Sequence, residues 1–154
     1  MRIDIRPAIY PDVEKLALVK VLAKHGEEAN SVSLDFEYVY INELLDEHST
    51  VFVLLWDKEP VAFCAARDCG RKPFLGYAMI SDLYVLPEYQ QKGNGRKLLS
   101  HTLRRLRADG YLNAMLETAD DNAKARRFYE KFGFAVREFR EQGGATYVVY
   151  TIDF

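Results

Sequence analysis

SDLYVLPEYQQKGNGRKLL, residues 81–99, joins an alternating hydrophobic run to a basic segment that carries leucines. Pro87 ends the hydrophobic run, which is typical of a β-strand. A set of leucines with helical spacing begins at Leu98. Gly93 and Gly95 therefore lie where a strand is followed by the first turn of a helix, and the most permissive backbone of the chain is expected there.

Glycines at the start of a helix predict an anion-binding site. The first N–H groups of a helix have no acceptor within it, and the helix dipole adds partial positive charge. Glycine has no Cβ and tolerates positive φ, as Asn94 also does, so the backbone can approach a ligand closely. Lys92, Arg96 and Lys97 add positive charge to a chain whose formal net charge is −2. A phosphate-bearing ligand is expected.

Two other phosphate-binding motifs do not fit this stretch. A P-loop needs Lys followed by Ser or Thr directly after its last glycine, whereas Gly95 is followed by Arg-Lys-Leu. A dinucleotide fingerprint needs a third glycine where this chain has Leu98, and it opens the first βαβ unit of a parallel sheet. The pattern that fits is Gln/Arg-x-x-Gly-x-Gly/Ala, from Gln90 to Gly95.

Composition and periodicity predict one α+β domain over residues 1–154. Of the 154 residues, 49% are hydrophobic and 13% are aromatic, which suits a sizeable core. Hydrophobic periods and turn signals predict the order β-α-α-β-β-β-α-β-α-β-β. This order implies a mixed sheet with helices on both faces.

Capping and turn residues predict where the first elements begin and end. Pro11 suits the first turn of the first helix, and Gly26 suits its C-terminal cap. After a polar linker over residues 30–33, Asp35 is expected to cap the second helix. Polar residues 57–59, between two β-rich runs, predict a hairpin.

Charge and cysteine content limit the classes of partner. The net charge of −2 gives no reason to expect nucleic acid or a membrane surface as partner. Cys64 and Cys69 are too few for a disulfide framework, and no other Cys or His lies near them at metal-ligand spacing, so free thiols and no metal are expected. The absence of a signal-peptide pattern and of a long apolar run predicts a cytoplasmic protein.

The glycine loop and a second stretch together resemble the GNAT superfamily of N-acetyltransferases. The first signature is Gln90 to Gly95, after the strand SDLYVLPEY. The second is similar to N-x-x-A-x-x-x-Y-x-x-x-G-F and consists of Asn122, Ala125, Phe128-Tyr129 and Gly133-Phe134. The two lie in the family's order and at roughly its spacing. The resemblance implies a single acetyltransferase domain with a mixed, mostly antiparallel sheet.

The resemblance also implies acetyl-CoA as cosubstrate, with no metal. Backbone N–H groups of the loop would hold the pyrophosphate of coenzyme A. Amides from Leu86 onward would hold the acetyl carbonyl and stabilise its developing negative charge. Asn122 matches a residue that contacts the pantetheine or caps the helix. The implied cofactor-binding residues are Leu86, Gln90, Gln91, Lys92, Gly93, Asn94, Gly95, Arg96 and Asn122.

The implied reaction is direct attack of a neutral primary amine on the acetyl thioester. Tyr129 matches the tyrosine that protonates the departing thiolate. Aliphatic amines are protonated at neutral pH, as lysine is with a pKa near ~10.4, so a base is also needed. The candidates are Asp82 on the central strand and Glu117 on the next strand, although Asp82 could instead pair with a neighbouring Arg or Lys. Some members have glutamate one position before Asp82, where this chain has Ser81.

Two loop positions depart from the family pattern. The family usually has glycine at the position of Gln91 and an aliphatic residue at the position of Asn94. Both are interpreted as variations in loop packing, because neither replaces the two required glycines.

Other functions and several partners stay open at this stage. A noncatalytic domain that binds acetyl-CoA as a sensor or scaffold would carry the same loop. A nucleic-acid module using residues 96–107 would be disfavoured by the acidic balance. The acceptor is expected to be a small-molecule or peptide amine, and a homodimer is common in the family, although the sequence shows no interface. Acidic residues that could attract a cationic acceptor, or form an ordinary hydrated surface, are Glu27, Glu28, Asp35, Glu37 and Glu43.

Overall fold

A computed structural model describes residues 1–26, 30–47 and 49–154. The elements are β1 (Ile3–Pro7), α1 (Val13–His25), α2 (Ser31–Asp46), β2 (Thr50–Trp56), β3 (Glu59–Asp68), β4 (Ala78–Val85), α3 (Asn94–Ala108), β5 (Asn113–Ala119), α4 (Ala123–Phe132), β6 (Ala135–Gln142) and β7 (Ala145–Asp153). Short 3₁₀ turns precede α1 (Tyr10–Asp12) and α3 (Pro87–Tyr89). The order of helices and strands predicted from the sequence is confirmed.

The chain divides into two compact units, and β4 contributes to both. The first unit holds Met1–Arg67 and Ser81–Arg105, and the second holds Asp68–Ile80 and Leu106–Phe154. The single domain over residues 1–154 stays a prediction.

In the first unit, β1, β2 and β3 form antiparallel pairs. β1 pairs with β2 from Ile3↔Trp56 to Pro7↔Phe52, and β2 pairs with β3 on its other side. The expected hairpin between β2 and β3 is confirmed, because Asp57 and Lys58 have φ of 49° and 73°. Positive φ at both central residues matches the right-handed twist of the two strands.

Helices cover both faces of this part of the sheet. Val53 of β2 packs with Leu16 of α1 and Ile41 of α2 in one buried cluster. The preceding side chain in the strand, Phe52, points to the other face. Its ring contacts the ring of His101 of α3, with ring centroids 4.5 Å apart. Burial on both faces explains why β2 and β3 are almost continuous hydrophobic runs.

The second helix begins earlier than the sequence predicts. Asn30 is its N-cap, and its side chain accepts a hydrogen bond from Ser33 N at 3.0 Å. The segment interpreted as a polar linker therefore contains the first turn of α2, and Asp35, expected as the cap, lies exposed within the helix. Asn and Asp are about equally favourable at an N-cap, and here Asn30, the earlier of the two in the chain, has that role. At α1 the expected C-cap is confirmed, with Gly26 at φ 56°.

The second unit has the strand order β4-β5-β7-β6. β4 and β5 are parallel, with Ala78↔Ala114 and Met79↔Met115 in register. β5 pairs with β7 along its full length, and β6 and β7 form an antiparallel hairpin. The mixed, mostly antiparallel sheet is confirmed, with β4 and β5 as the parallel pair. Within the described parts of the chain, no helix is long and apolar enough to cross a membrane.

The two free cysteines differ in exposure. Cys64 lies in β3 with 0% exposure, and burial raises the pKa of its thiol to about 12. Cys69 follows β3 and is partly exposed.

Because the thiolate is the reactive form, an aromatic disulfide reagent at about pH 8 should modify one thiol quickly in the native chain and two after denaturation. The absorbance of the released thiol measures this. If the reagent modified both thiols quickly in the native chain, the burial of Cys64 would be contradicted.

Candidate functional site

The connection from β4 to α3 is held by a series of hydrogen bonds. Leu86 N donates to Val61 O of β3 at 2.9 Å, and Tyr89 N donates to Leu86 O at 2.8 Å. The side chain of Gln90 reaches back, with Nε2 donating to Val85 O at 2.9 Å. The end of the strand and the loop that follows therefore form one braced segment.

Left-handed backbone occurs at Gln91 and Gly93, where φ is 60° and 81°, and not at Asn94. Asn94 instead begins α3 and is 1% exposed. Its Nδ2 donates to Tyr89 O at 2.9 Å, while its Oδ1 has no hydrogen-bond partner among the described residues. An aliphatic side chain would leave Tyr89 O without this donor, which gives Asn94 a structural role that the sequence did not reveal.

The start of α3 has the properties of an anion cradle. Lys97 N donates to Gly93 O at 3.1 Å, so Gly93 stands at the N-cap and the N–H groups after it open the helix. A Cβ built on Gly93 would meet nothing within 4 Å, so space lies open beside this backbone. Lys92 is exposed, and its Nζ lies 5.7 Å from the centre of the Trp56 ring. These features fit a phosphate-bearing ligand.

Three of the backbone N–H groups that follow β4 already have acceptors. Leu86 N donates to Val61 O, Tyr89 N and Gln90 N donate within the 3₁₀ turn, and Pro87 has no N–H. N–H groups alternate in direction along a strand, so the N–H of Val85 points away from β3, opposite to that of Leu86. Val85, which the sequence analysis missed, is therefore the amide at the end of β4 that faces away from the hairpin.

Asp82 lies in a buried cluster of charges formed by α1, α2 and β4. Lys20 Nζ is 3.0 Å from Asp82 Oδ1 and 3.1 Å from Glu37 Oε1, the second contact being an ion pair without hydrogen-bond geometry. Lys20 is 6% exposed, and Glu37 and Asp82 are each 4% exposed. Tyr40 completes the cluster by donating its hydroxyl proton to Asp82 Oδ2 at 2.9 Å.

The cluster corrects one expectation from the sequence. Glu37 was grouped with acidic surface residues, but it is buried against Lys20. Of the same group, Asp35 and Glu43 are exposed, and Glu27 and Glu28 lie outside the described residues. The sequence signal that could have predicted this cluster is a charged residue on the apolar face of a helix. In α1 Lys20 continues the buried positions 13, 16 and 17, and in α2 Glu37 precedes the buried positions 41 and 44.

Aromatic rings enclose the lysine of this cluster. Lys20 Nζ lies 3.9 Å from the centre of the Tyr40 ring and 5.5 Å from that of the Tyr84 ring. Burial, followed by the negative charge of Asp82, raises the pKa of the Tyr40 phenol above its usual value. Burial and the charges of Asp82 and Glu37 raise the pKa of Tyr84 to about 12. Both phenols are therefore neutral at physiological pH.

The second unit holds the remaining predicted site residues. Asn122 caps α4 by accepting a hydrogen bond from Ala125 N at 3.2 Å, so the capping role is confirmed. Tyr129 is partly buried, with ring centroids 5.7 Å from Phe134 and 6.3 Å from Tyr150. The ring therefore has a packing role, and its catalytic role stays a prediction.

Glu117 in β5 is bound by two arginines. Arg71 Nη2 donates to Oε1 at 3.3 Å, and Arg140 donates to Oε2. Both carboxylate oxygens thus have cationic partners. Among the described residues, no group of three or more His, Cys, Asp or Glu side chains could hold a metal ion.

Within the units, the predicted residues form separate groups. The loop from Gln90 to Arg96 and Asp82 belong to the first unit, and Glu117, Asn122 and Tyr129 belong to the second. In the first unit the loop continues directly from the strand that carries Asp82. In the second, Asn122 and Tyr129 share α4.

Comparisons with known proteins find one family. The model of the acetyltransferase (GNAT) family matches residues 17–134. Streptothricin acetyltransferase A of Bacillus subtilis (strain 168) is 36% identical over 73 residues, which are 47% of this chain and 42% of that protein. The [ribosomal protein bS18]-alanine N-acetyltransferase of Escherichia coli (strain K12) is 38% identical over 60 residues, 39% of this chain and 40% of that protein. The chain thus spans less than half of either relative.

Solved structures share the fold over the full chain. The crystal structure of PaiA N-acetyltransferase from Thermoplasma acidophilum, in complex with coenzyme A, matches with a TM-score of 0.76 and 19% sequence identity, covering 100% of both chains. At this identity the likeness shows the fold, and the GNAT fold expected from the sequence is confirmed.

The backbone at Gln91 gives the first prediction for this region. A non-glycine residue in the left-handed region is strained by about 1–2 kcal/mol, and glycine relieves that strain at an entropic cost of about 0.5–1 kcal/mol. We expect Gln91→Gly to leave the free energy of unfolding equal or slightly higher, and Gln91→Val to lower it by about 1 kcal/mol or more, because β-branched residues tolerate positive φ worst. Urea denaturation measures both. The control Gln142→Val, in strand β6, should have little effect.

The buried charges give the second prediction. Lys20→Met keeps the volume of the side chain but leaves two carboxylates without their cation, so the free energy of unfolding should fall by about 3–5 kcal/mol. The matched control is Lys15→Met, which breaks an exposed pair with Glu59 at 3.1 Å and should cost at most about 1 kcal/mol. Equal effects in urea denaturation would mean that the cluster contributes no more than a surface ion pair.

Proposed function

The chain belongs to the acetyltransferase (GNAT) family, and on that basis we propose that it transfers the acetyl group of acetyl-CoA to a primary amine. The observation that carries the proposal is the start of α3, where Gly93 has open space beside it and a φ of 81°. A backbone with this shape at a helix N-terminus suits the pyrophosphate of coenzyme A.

The loop of the first unit is proposed to bind the cosubstrate. Acetyl-CoA supplies a thioester carbonyl as the electrophile. The backbone from Gln91 to Arg96 would donate N–H groups to the phosphates, with Lys92 as a nearby positive charge. Gln90, whose own N–H donates to Pro87 O at 3.3 Å, belongs to the proposed set as part of the same loop. Leu86 belongs to the proposed set through its backbone, but its N–H already donates to Val61 O at 2.9 Å. We therefore assign to Val85 N–H the stabilisation of negative charge on the carbonyl oxygen.

Residues of the second unit are proposed to act on the leaving group. Tyr129 would protonate the departing thiolate, since a phenol with a pKa of about 10 can donate to the conjugate base of a thiol with a pKa of about 8.5. Asn122 would contact the pantetheine while it caps α4. Its Oδ1 accepts from Ala125 N at 3.2 Å, which leaves its Nδ2 amide for that contact.

Two carboxylates are proposed as the base that deprotonates the amine. Asp82 accepts from Tyr40 and faces Lys20, and Glu117 accepts from Arg71 and Arg140. Both oxygens of each carboxylate are thus partnered. Either would have to give up a partner or act through one.

The acceptor is proposed to be a small-molecule or peptide amine. The names of the two relatives describe one enzyme that acetylates streptothricin and one that acetylates an alanine of a ribosomal protein. A cytoplasmic location, a homodimer and the lack of nucleic-acid or membrane partners complete the proposal. The formal net charge of −2 supports the last of these.

Calorimetry with acetyl-CoA, followed by turnover, tests the proposal. We expect selective micromolar binding, about −8 kcal/mol, with NADP and ATP as controls. Release of free thiol would then be followed with phenylethylamine, spermidine and a peptide that begins with alanine. Tyr129→Phe should lower turnover by about 100-fold, the usual contribution of a general acid, with acetyl-CoA affinity within a few-fold.

The outcomes separate the alternatives. Tyr111→Phe is the control, because it removes another phenol of the second unit, one that donates to Asp68 at 3.2 Å. Equal turnover in both variants would remove Tyr129 from the mechanism. Binding without turnover on any amine would favour a sensor or scaffold, and no binding would refute both the enzyme and the sensor.

A further inference from the structure

The buried cluster of the first unit, made of Lys20, Glu37, Asp82 and Tyr40, carries an odd charge. One ammonium and two carboxylates give a net charge of −1, and all three residues are at most 6% exposed. Buried charges are costly unless they are paired, and here one negative charge has no second cation within the cluster. A single added proton would make the cluster neutral, which a low-dielectric environment favours.

Tyr40 is the member of this cluster that combines exposure with a bond to Asp82. Asp82 is 4% exposed and both of its oxygens are partnered, which prevents direct contact with an amine in this arrangement. The Tyr40 side chain is partly exposed, and its hydroxyl donates to Asp82 Oδ2 at 2.9 Å. A phenol oxygen that donates its proton can still accept another through a lone pair.

We propose that Tyr40 is a catalytic residue that relays a proton from the ammonium form of the acceptor amine to Asp82. This inference rests on the proposed acetyl transfer. One N–H bond of the ammonium breaks and its proton passes to the Tyr40 oxygen, while the Tyr40 hydroxyl proton passes to Asp82 Oδ2. The nitrogen lone pair becomes free to attack, no electrons are exchanged with another group, and the cluster goes from −1 to neutral.

Lys20 and Glu37 are positioning residues in this scheme. Lys20 binds Asp82 Oδ1 at 3.0 Å, which leaves Oδ2 to Tyr40. Its Nζ also lies 3.9 Å from the centre of the Tyr40 ring and holds the ring in place. Glu37 adds the second negative charge of the cluster, with its Oε1 3.1 Å from Lys20 Nζ, and offsets the ammonium.

The electrostatics around the Tyr40 phenol suit a relay. Burial and the charge of Asp82 raise its pKa, so it stays protonated and passes protons through without forming a phenolate. The groups that act on the Tyr40 phenol are Lys20 of α1, Arg67 of β3, and Ser81 and Asp82 of β4, of which Ser81 and Arg67 oppose the shift. Glu37 of α2 and Tyr84 of β4 lie next to Lys20.

Two nucleophiles of different protonation state test the relay. Phenylethylamine, spermidine and the alanine peptide carry ammonium groups at neutral pH, whereas hydroxylamine is already neutral. Tyr40→Phe keeps the ring over Lys20 and removes the hydroxyl. We expect kcat with the best of the three amines to fall by at least about tenfold, and the increase of this kcat with pH to occur at higher pH than in the wild type. The kcat with hydroxylamine should stay within about threefold of the wild-type value.

The matched control is Tyr10→Phe, which also removes a phenol that donates to an aspartate, Asp46, in the same unit. Thermal melting and acetyl-CoA affinity show that each variant is folded. Asp82→Asn is a second variant and should show the same selectivity for the neutral nucleophile.

Either of two results would overturn the relay. In the first, Tyr40→Phe and Tyr10→Phe have the same kcat with the amines that are protonated at neutral pH. In the second, its turnover falls equally with hydroxylamine, which would indicate a structural role. Failure of the proposed function is distinguishable from both, because the wild-type chain itself would then acetylate no amine, and the relay would fall with it.

Discussion

Two side-chain amides brace the connection from β4 to α3 by donating hydrogen bonds to its backbone. Gln90 donates to Val85 O and Asn94 donates to Tyr89 O, both at 2.9 Å. These bonds connect the end of β4 to the first turn of the helix and lie on both sides of Gly93 in the chain. A loop that binds an anion through N–H groups needs such bracing, because the groups must point in the right direction before the ligand arrives.

The same segment shows how a departure from a family pattern can be a compensation. Gln91 takes a left-handed φ of 60°, where glycine would be unstrained. Asn94, in place of an aliphatic residue, contributes a bond to Tyr89 O within the loop. The hydrogen bond of Asn94 and the left-handed backbone of Gln91 therefore occur in the same turn.

The charged cluster has a different relation to the fold. Its three charges replace what would otherwise be apolar positions on α1, α2 and β4, and a buried network of this kind is a weak source of stability compared with hydrocarbon packing. It does set a specific arrangement, because Lys20 can bind Asp82 and Glu37 together only when α1 and α2 pack in one register. Asp82 thereby serves both as a structural partner and as the proposed acceptor of a proton.

The sequence by itself determined the order of helices and strands, the hairpin at Asp57 and Lys58, and the glycine loop before α3, because hydrophobic period and turn chemistry are local properties. It also identified Asn122 as a helix cap. Only the tertiary structure decided that α2 starts after Asn30, where two suitable caps competed, and that Leu86 N–H is directed to Val61. It alone brought together the cluster around Lys20, since its members are far apart along the chain and the meeting of two charges inside a core depends on how helices pack. Local pattern therefore predicted where the loop lies, and packing decided which polar groups around it are already partnered.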